Sequence, residues 1–124
     1  MIYIDTHIAV WLYTGQVEKL SDRAQESLNE NEIYVSAVVR LELQYLKEIE
    51  RITANANEIV LDLSNRIGLK ICDKSFNSII NRSMDLIWTR DPFDRIIVAN
   101  AALNNVPLLT KDRKILDHYD KAFC

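Results

Sequence analysis

Short apolar runs alternate along this chain with longer segments of helical periodicity, and this alternation restricts the possible folds more than any other feature. The segments that contain these runs, at residues 1–5, 32–35, 69–72 and 106–109, are predicted to be short strands. Strands that alternate with helices favour a parallel sheet covered by helices on both faces. Because 124 residues is the length of one domain, we predict a single α/β domain that spans residues 1–124.

Capping residues and apolar spacing define the helices between these runs. Ser36 is a good N-cap, and Asp91 followed by Pro92 is a strong helix start, since proline is tolerated at the first helical position. Gly68 ends a helix as a C-cap residue does. The predicted helical segments are 6–13, 20–31, 36–49, 53–66, 73 or 75 to 86, 91–104 and 112–117, and the tail is a candidate edge strand.

Composition and charge narrow the functional classes. The net charge of −3 argues against a protein that binds nucleic acid through a broadly basic surface. No apolar run approaches the ~20 residues that span a bilayer, and no basic segment followed by an apolar stretch indicates a secretory signal. We therefore expect a cytoplasmic protein without membrane contact. Cys72 and Cys124 are expected to be free thiols there, and His7 and His118 do not give them zinc-site spacing.

Four acidic residues stand at the edges of apolar segments. Asp5 ends the first apolar run and Asp112 follows the last one, so both are expected at the carboxyl edge of the sheet, where open α/β sheets bind ligands. Asp94 opens an almost wholly apolar helical segment. Glu42 shares a helix face with apolar residues that we expect to face the core, where an unpaired charge is costly. These residues are Val38, Leu41, Tyr45, Leu46 and Ile49.

Each of these acids also has an ordinary structural role open to it. Asp5 and Asp112 are placed to cap the helices that follow them. Asp94 lies in a first helical turn, where the helix macrodipole favours negative charge. Glu42 could be paired with a basic residue. The combination of all four is what points to a shared site.

Together the four acids predict a site for a hard divalent cation, because oxygen ligands suit Mg²⁺ or Mn²⁺. Such ions assist hydrolysis of phosphodiesters. Thr110 lies beside Asp112 and is a candidate to orient a carboxylate or a water molecule. Arg90, Arg95 and Lys111 are candidate contacts to the phosphates of such a substrate. Glycine-rich nucleotide-binding loops and a Ser-His-Asp signature are both missing from the sequence.

One continuous block and several shorter motifs go beyond these spacings. The block is Arg90-Asp91-Pro92-Phe93-Asp94-Arg95. Ala99 and Ala101 follow the block and belong to the same motif. The shorter motifs are Asp5-Thr6-His7 with Trp11-Leu12, Leu20-Ser21 with Ala24, Val35-Ser36-Ala37 with Glu42, and Pro107-Leu108-Leu109-Thr110 with Asp112. In this order and spacing, which cover nearly the full length, the chain resembles PIN-domain ribonucleases, in particular the toxins of VapBC-type bacterial toxin–antitoxin modules.

The resemblance implies a three-layer α/β/α sandwich with a central parallel sheet and an Mg²⁺- or Mn²⁺-dependent endoribonuclease. Asp5, Glu42, Asp94 and Asp112 match the family's acidic quartet, and Thr110 matches its accessory hydroxyl. It also implies a homodimer and inhibition by a cognate antitoxin, whose C-terminal segment would lie across the active-site groove.

The sequence departs from the family pattern in one place and offers a surface for the dimer. Related chains with this block often carry histidine two residues before its first aspartate, where this chain has Thr89, which bears on substrate detail rather than on the reaction. The helices between Leu43 and Leu63 carry more apolar residues than a short sheet needs, so we expect Tyr45 and Ile49 to contact a second chain.

Two other functions remain open from the sequence. A phosphoacceptor receiver-like signalling domain also has parallel strands and an acidic pocket, and Asp73 could accept the phosphate, but Asp5 lacks the paired acid that this chemistry needs. A receiver-like function would also leave Glu42 and Asp94 without a role. The second alternative is a PIN fold that binds RNA without catalysis, and the complete set of four acids argues against it.

Overall fold

The computed structural model describes the whole chain from Met1 to Cys124, and its centre is one parallel sheet. The strands are β1 (Ile2–Ile4), β2 (Ile33–Val35), β3 (Lys70–Ile71), β4 (Leu108–Leu109) and β5 (Ala122–Phe123). They lie in the order β3-β2-β1-β4-β5, and every neighbouring pair is parallel. The predicted parallel sheet and the edge strand in the tail are therefore confirmed.

Seven α-helices cover the two faces of the sheet, as an α/β/α sandwich requires. They are α1 (Thr6–Thr14), α2 (Asp22–Glu30), α3 (Ala37–Glu48), α4 (Ala56–Ile67), α5 (Phe76–Ser83), α6 (Pro92–Ala102) and α7 (Arg113–His118). A 3₁₀ turn at Val17–Lys19, which the sequence did not predict, connects α1 to α2. None of these helices is long and apolar enough to cross a membrane.

The central strands are apolar on both sides because helices cover both sides. All three residues of β1 are buried, and Leu108 and Leu109 of β4 are fully buried. Parallel strands buried on both faces need such continuous apolar runs rather than an alternating pattern. The sheet thus holds the carboxyl ends of β1 and β4 next to each other, with Tyr3 paired to Leu108 and Ile4 to Leu109.

Helix α6 crosses the interior, as its composition predicts. Asp91 is its N-cap, with Oδ1 accepting from the backbone N–H groups of Phe93 at 2.9 Å and Asp94 at 3.4 Å, and Pro92 occupies the first turn. All residues from Ile97 to Ala102 are buried. A well-capped helix in the core gives Asp94 a fixed position in its first turn.

The predicted orientation of α3 is wrong in one respect. Its core residues are Val39 and Leu43, whereas Leu41, Tyr45 and Ile49 on the face expected to be buried are 61%, 47% and 43% exposed. Apolar residues at helical spacing form two stripes along this helix. The spacing alone does not show which of the two stripes packs on the sheet. Glu42 lies between the two stripes and is half-buried.

Candidate active site

All four predicted acids line one cavity of about 310 Å³ at the carboxyl edge of the sheet. Asp5 follows β1, Asp112 follows β4, Asp94 comes from the first turn of α6, and Glu42 comes from α3. Four separate elements therefore bring together residues that lie far apart in the sequence. The full lining is Asp5, Thr6, His7, Trp11, Glu42, Asp91, Asp94, Ile97, Lys111 and Asp112.

Asp5 is the most deeply buried of the four acids and is held at both oxygens. Its Oδ1 accepts from the backbone N–H of Ile8 at 3.1 Å, which makes it the N-cap of α1, and its Oδ2 accepts from the hydroxyl of Thr110. Burial raises the pKa of the Asp5 carboxyl, and the hydrogen bonds from Thr110 and Ile8 oppose that rise. The Asp5 side chain is thus held in one position, and its carboxyl group loses its proton less readily than that of an exposed aspartate.

Thr110 connects two of the acids. It is fully buried at the end of β4, donates to Asp5, and accepts from the backbone N–H of Asp112 at 3.0 Å. Asp112 in turn caps α7 by accepting from the N–H of Ile115 at 3.1 Å. The predicted capping roles of Asp5 and Asp112 are therefore present in the same side chains that line the cavity.

Glu42 is held by a residue that the sequence did not single out as functional. The hydroxyl of Thr6, in the first turn of α1, donates a hydrogen bond to Oε1 of Glu42. Burial raises the pKa of the Glu42 carboxyl, and this hydrogen bond is the largest opposing cause. Thr6 is only 2% exposed, and its position directly after Asp5 was the only sequence signal for this role.

Asp94 lies among the other acids of the cavity, and these neighbours affect its pKa. Burial and the neighbouring carboxylates, led by Asp91 and followed by Asp112, Glu42 and Asp5, raise its pKa to about 7. Asp91 was predicted only as a helix cap, yet it also lines the cavity and is the strongest charged neighbour of Asp94. Like charges in a partly buried site disfavour ionisation, so the site holds protons more readily than isolated carboxylates do.

The acidic side chains of the cavity form no ion pair with a basic residue of the chain. The two ion pairs of the structure join Arg66 to Asp62 and Lys70 to Glu32, and neither involves a lining residue. No three acidic, histidine or cysteine side chains stand close enough together to form a ready-made metal cluster. The four acids nevertheless fit a hard cation, because they offer only oxygen ligands and form no ion pair with a basic side chain. Their carboxylates would have to move closer together to share one cation.

The three basic residues predicted to contact RNA have different surroundings. Lys111 lines the cavity and is exposed. Arg90 is also exposed and uses Nη1 to donate to the carbonyl of Ile87 at 2.8 Å. Arg95 donates from Nε to the carbonyl of Ser83 at 3.1 Å and from Nη2 to that of Met84 at 3.2 Å, at the end of α5. Its guanidinium therefore stabilises a helix end.

The strand order excludes the arrangement that a phosphoacceptor domain needs. Asp73 follows β3, which lies at the edge of the sheet, and β2 separates β3 from β1. Asp73 is accordingly not among the residues that line the cavity around Asp5. This removes the acceptor position that the receiver-like alternative required.

The architecture and the cavity define an α/β domain with an acidic site at the carboxyl edge of a parallel sheet. The model of the PIN domain family matches residues 2–122, so the chain belongs to that family. The predicted family is confirmed.

Comparison with known proteins gives relatives that the chain matches over nearly its whole length. It is 26% identical over 121 residues to Ribonuclease VapC22 of Mycobacterium tuberculosis (strain ATCC 25618 / H37Rv), covering 94% of this chain and 91% of the relative. A toxin–antitoxin complex from Klebsiella pneumoniae has a TM-score of 0.70 at 20% identity, covering 100% of this chain and 97% of the other. VapBC2 from Rickettsia felis, bound to a DNA fragment from its promoter, has a TM-score of 0.65 at 22% identity, covering 94% and 92%.

Proposed function

We propose that this protein is a metal-dependent endoribonuclease that acts as the toxin of a type II toxin–antitoxin module in the cytoplasm. The observation that carries the proposal is the single cavity lined by Asp5, Glu42, Asp94 and Asp112, none of which is paired with a lysine or arginine. Membership of the PIN family and the likeness to a ribonuclease of that family support the same activity.

The residues of the chain would divide the work as follows. Asp5, Glu42, Asp94 and Asp112 would hold Mg²⁺ or Mn²⁺, which when bound supplies charge neutralisation for the phosphodiester and activation of the attacking water. Thr110 fixes Asp5 through its hydroxyl.

Two further side chains act on protons and on phosphate. Asp94, whose pKa is raised to about 7, would have to be ionised to hold the cation, so cation binding would be coupled to loss of its proton. Lys111 at the cavity offers its ammonium group to a phosphate of the RNA backbone. Arg90 is exposed and lies just before α6, the helix that carries Asp94. Arg95 would reach RNA only after leaving the end of α5.

Cleavage of a mixed-sequence RNA by purified protein tests the activity. We expect cleavage with Mg²⁺ or Mn²⁺, none with EDTA, and none after Asp5→Asn or Asp94→Asn, while Asp85→Asn, an exposed acid outside the cavity, stays active. Asn can still cap a helix, so Asp5→Asn tests chemistry rather than folding. Binding of RNA without metal-dependent cleavage would favour the alternative of a PIN fold that has lost catalysis.

The proposed protein partner is an antitoxin, because both solved relatives are described as complexes of a toxin with its antitoxin or of VapBC. An acidic groove favours a basic side chain, so the antitoxin would place an arginine or lysine against the carboxylates and compete with the cation. Peptide affinity measured with and without saturating Mg²⁺ tests this. Equal affinity in both conditions would show that the peptide binds elsewhere.

A further inference from the structure

Cys72 lies outside the acidic cavity and has an environment that a structural thiol does not need. It follows β3 and is half-buried, with its backbone N–H donating to the carbonyl of Val35. Its Sγ accepts from Nδ2 of Asn100 at 3.0 Å and from the backbone N–H of Lys74 at 3.4 Å. Donors from α6 and from the loop after β3 thus converge on one sulfur.

The positive charge near this sulfur is held in place rather than free in solvent. Nζ of Lys74 donates to the carbonyl of Asn100 at 3.0 Å and lies 5.0 Å from the centre of the Tyr3 ring. Burial acts to raise the pKa of the Cys72 thiol, but the hydrogen bonds from Tyr3, Lys74 and Asn100 and the charge of Lys74 outweigh it and lower that pKa. Partial exposure beside a cation and several donors is the setting of reactive cysteines.

Asn100 gives an independent indication that this cluster accommodates another group. Its side chain is 1% exposed and contacts Sγ and the Tyr3 hydroxyl through Nδ2, but its Oδ1 has no hydrogen-bond partner. A buried acceptor without a donor is uncommon in folded proteins, since it loses its bond to water. The amide that contacts the sulfur through Nδ2 therefore has one buried acceptor atom without a donor.

We propose that Cys72 is a modification site at which a hydroperoxide oxidises the thiolate to a sulfenic acid. The sulfur attacks one peroxide oxygen, an S–O bond forms and the O–O bond breaks. The second oxygen leaves with the bonding electrons and takes a proton to become water, or an alcohol if the peroxide is organic. Sulfur loses two electrons and the peroxide gains them. We expect the new S–OH group to donate to Oδ1 of Asn100, the acceptor without a partner on the amide that contacts the sulfur. This site is independent of the proposed ribonuclease activity.

Cys124 provides a matched control within the same chain, because it is an exposed thiol without this cluster. The protein with Cys124→Ser reports on Cys72 alone, and the protein with Cys72→Ser reports on Cys124 alone. At pH 7 we expect Cys72 to react with iodoacetamide about tenfold faster than Cys124, although it is less exposed, because thiolate rather than thiol reacts. Slower alkylation of Cys72, as burial alone dictates, would overturn the proposal.

A second pair of variants isolates the cation. In the Cys124→Ser background, Lys74→Gln should slow alkylation at pH 7 several-fold. Lys70→Gln should not, because Lys70 lies in β3 and pairs with Glu32 instead. Treatment with hydrogen peroxide followed by dimedone should add one dimedone mass at Cys72, and the same treatment of the Cys72→Ser protein should add none at Cys124. Equal rates for the two lysine variants, or no dimedone adduct on folded protein, would contradict the assignment.

Discussion

The hydroxyl of Thr6 donates a hydrogen bond to Glu42, and this contact ties the first turn of α1 to the middle of α3. Thr110 makes the equivalent contact to Asp5 from the end of β4. Two of the four cavity acids are thus held by buried threonines on other elements. A carboxylate held in one rotamer before a cation arrives loses less conformational freedom on binding it, so we propose that these threonines position the acids of the site.

Thr6→Val should weaken the proposed activity by roughly 10- to 100-fold, the usual range for residues that orient a metal ligand. Valine keeps the volume but removes the donor, so the pKa of Glu42, already raised by burial, should rise further. The rising limb of the cleavage rate against pH should therefore move to higher pH. Thr6→Ser, which keeps the hydroxyl, should behave like the natural protein; a serine variant as impaired as the valine variant would point to packing instead.

The metal-free protein should become less stable as the pH rises from about 4 to about 7. Over this window folded Asp94 keeps the proton that its unfolded form has released, since its pKa is raised from 3.8 to about 7. The folded state then binds more protons than the unfolded state, so the free energy of unfolding falls with rising pH. Asp94→Asn should flatten the slope and raise Tm in EDTA at pH 8 by about 4 °C. Identical slopes for both proteins would contradict this assignment.

Cation affinity should show the opposite dependence on pH. Bound Mg²⁺ requires an ionised Asp94, so affinity should increase as pH rises through about 7, and binding should release a proton. Calorimetric titrations in two buffers of different ionisation enthalpy measure that release. An affinity that stays constant between pH 6 and 8 would exclude Asp94 as a ligand.

Asp91→Asn should lower the pKa of Asp94 while leaving α6 intact. Asp91 is the first charged cause of the raised pKa of Asp94, and asparagine can replace it as the N-cap. Titration of the Asp94 carboxyl carbon by NMR measures the change directly. Asp85→Asn removes an acid in the loop before α6 that does not line the cavity, so it should leave the titration unchanged.

The protein should form a dimer through the exposed apolar stripe of α3. Tyr45 and Ile49 are 47% and 43% exposed, and Ile49→Lys should dissociate the dimer at tens of micromolar protein, where an interface of about −8 kcal/mol is populated. Sedimentation of the natural protein and the variant measures this. Ile87, 71% exposed in the loop before α6, offers a comparison: dissociation by Ile87→Lys but not by Ile49→Lys would place the interface elsewhere.

Local features of the fold could be predicted because caps and turns depend on neighbouring residues. Ser36, Asp91 and Gly68 cap their helices as predicted, and the left-handed φ of 69° at Gly68 explains its glycine. Helix α4 starts at Ala56, later than predicted, because Asn55 caps it; asparagine is a better N-cap than the threonine two residues earlier, so capping preference already favoured the observed start. The sequence did not predict which strands are neighbours, since strand order depends on contacts between distant elements.

The acids of the cavity could be predicted because they are charged residues at the edges of apolar segments. The residues that hold these acids in place could not be predicted. Thr6 is an ordinary first-turn residue by sequence, and its bond to Glu42 exists only after α1 and α3 pack together. Asp91 was assigned to capping, which was correct but incomplete. Arg95 was assigned to RNA from its charge, and its bonds to the end of α5 depend on the packing of α5 against α6.

The caps at Asp5, Asp91 and Asp112 mean that α1, α6 and α7 all begin at the cavity. The amino ends of helices carry partial positive charge, about half an elementary charge each. Backbone dipoles therefore supply the compensation that no lysine or arginine side chain provides, and they do so without filling the space where a cation would enter. Glu42, in the middle of α3, is the one acid of the quartet outside this arrangement. An electrostatic redesign of the site would accordingly have the most freedom at Glu42 and the least at the three helix starts.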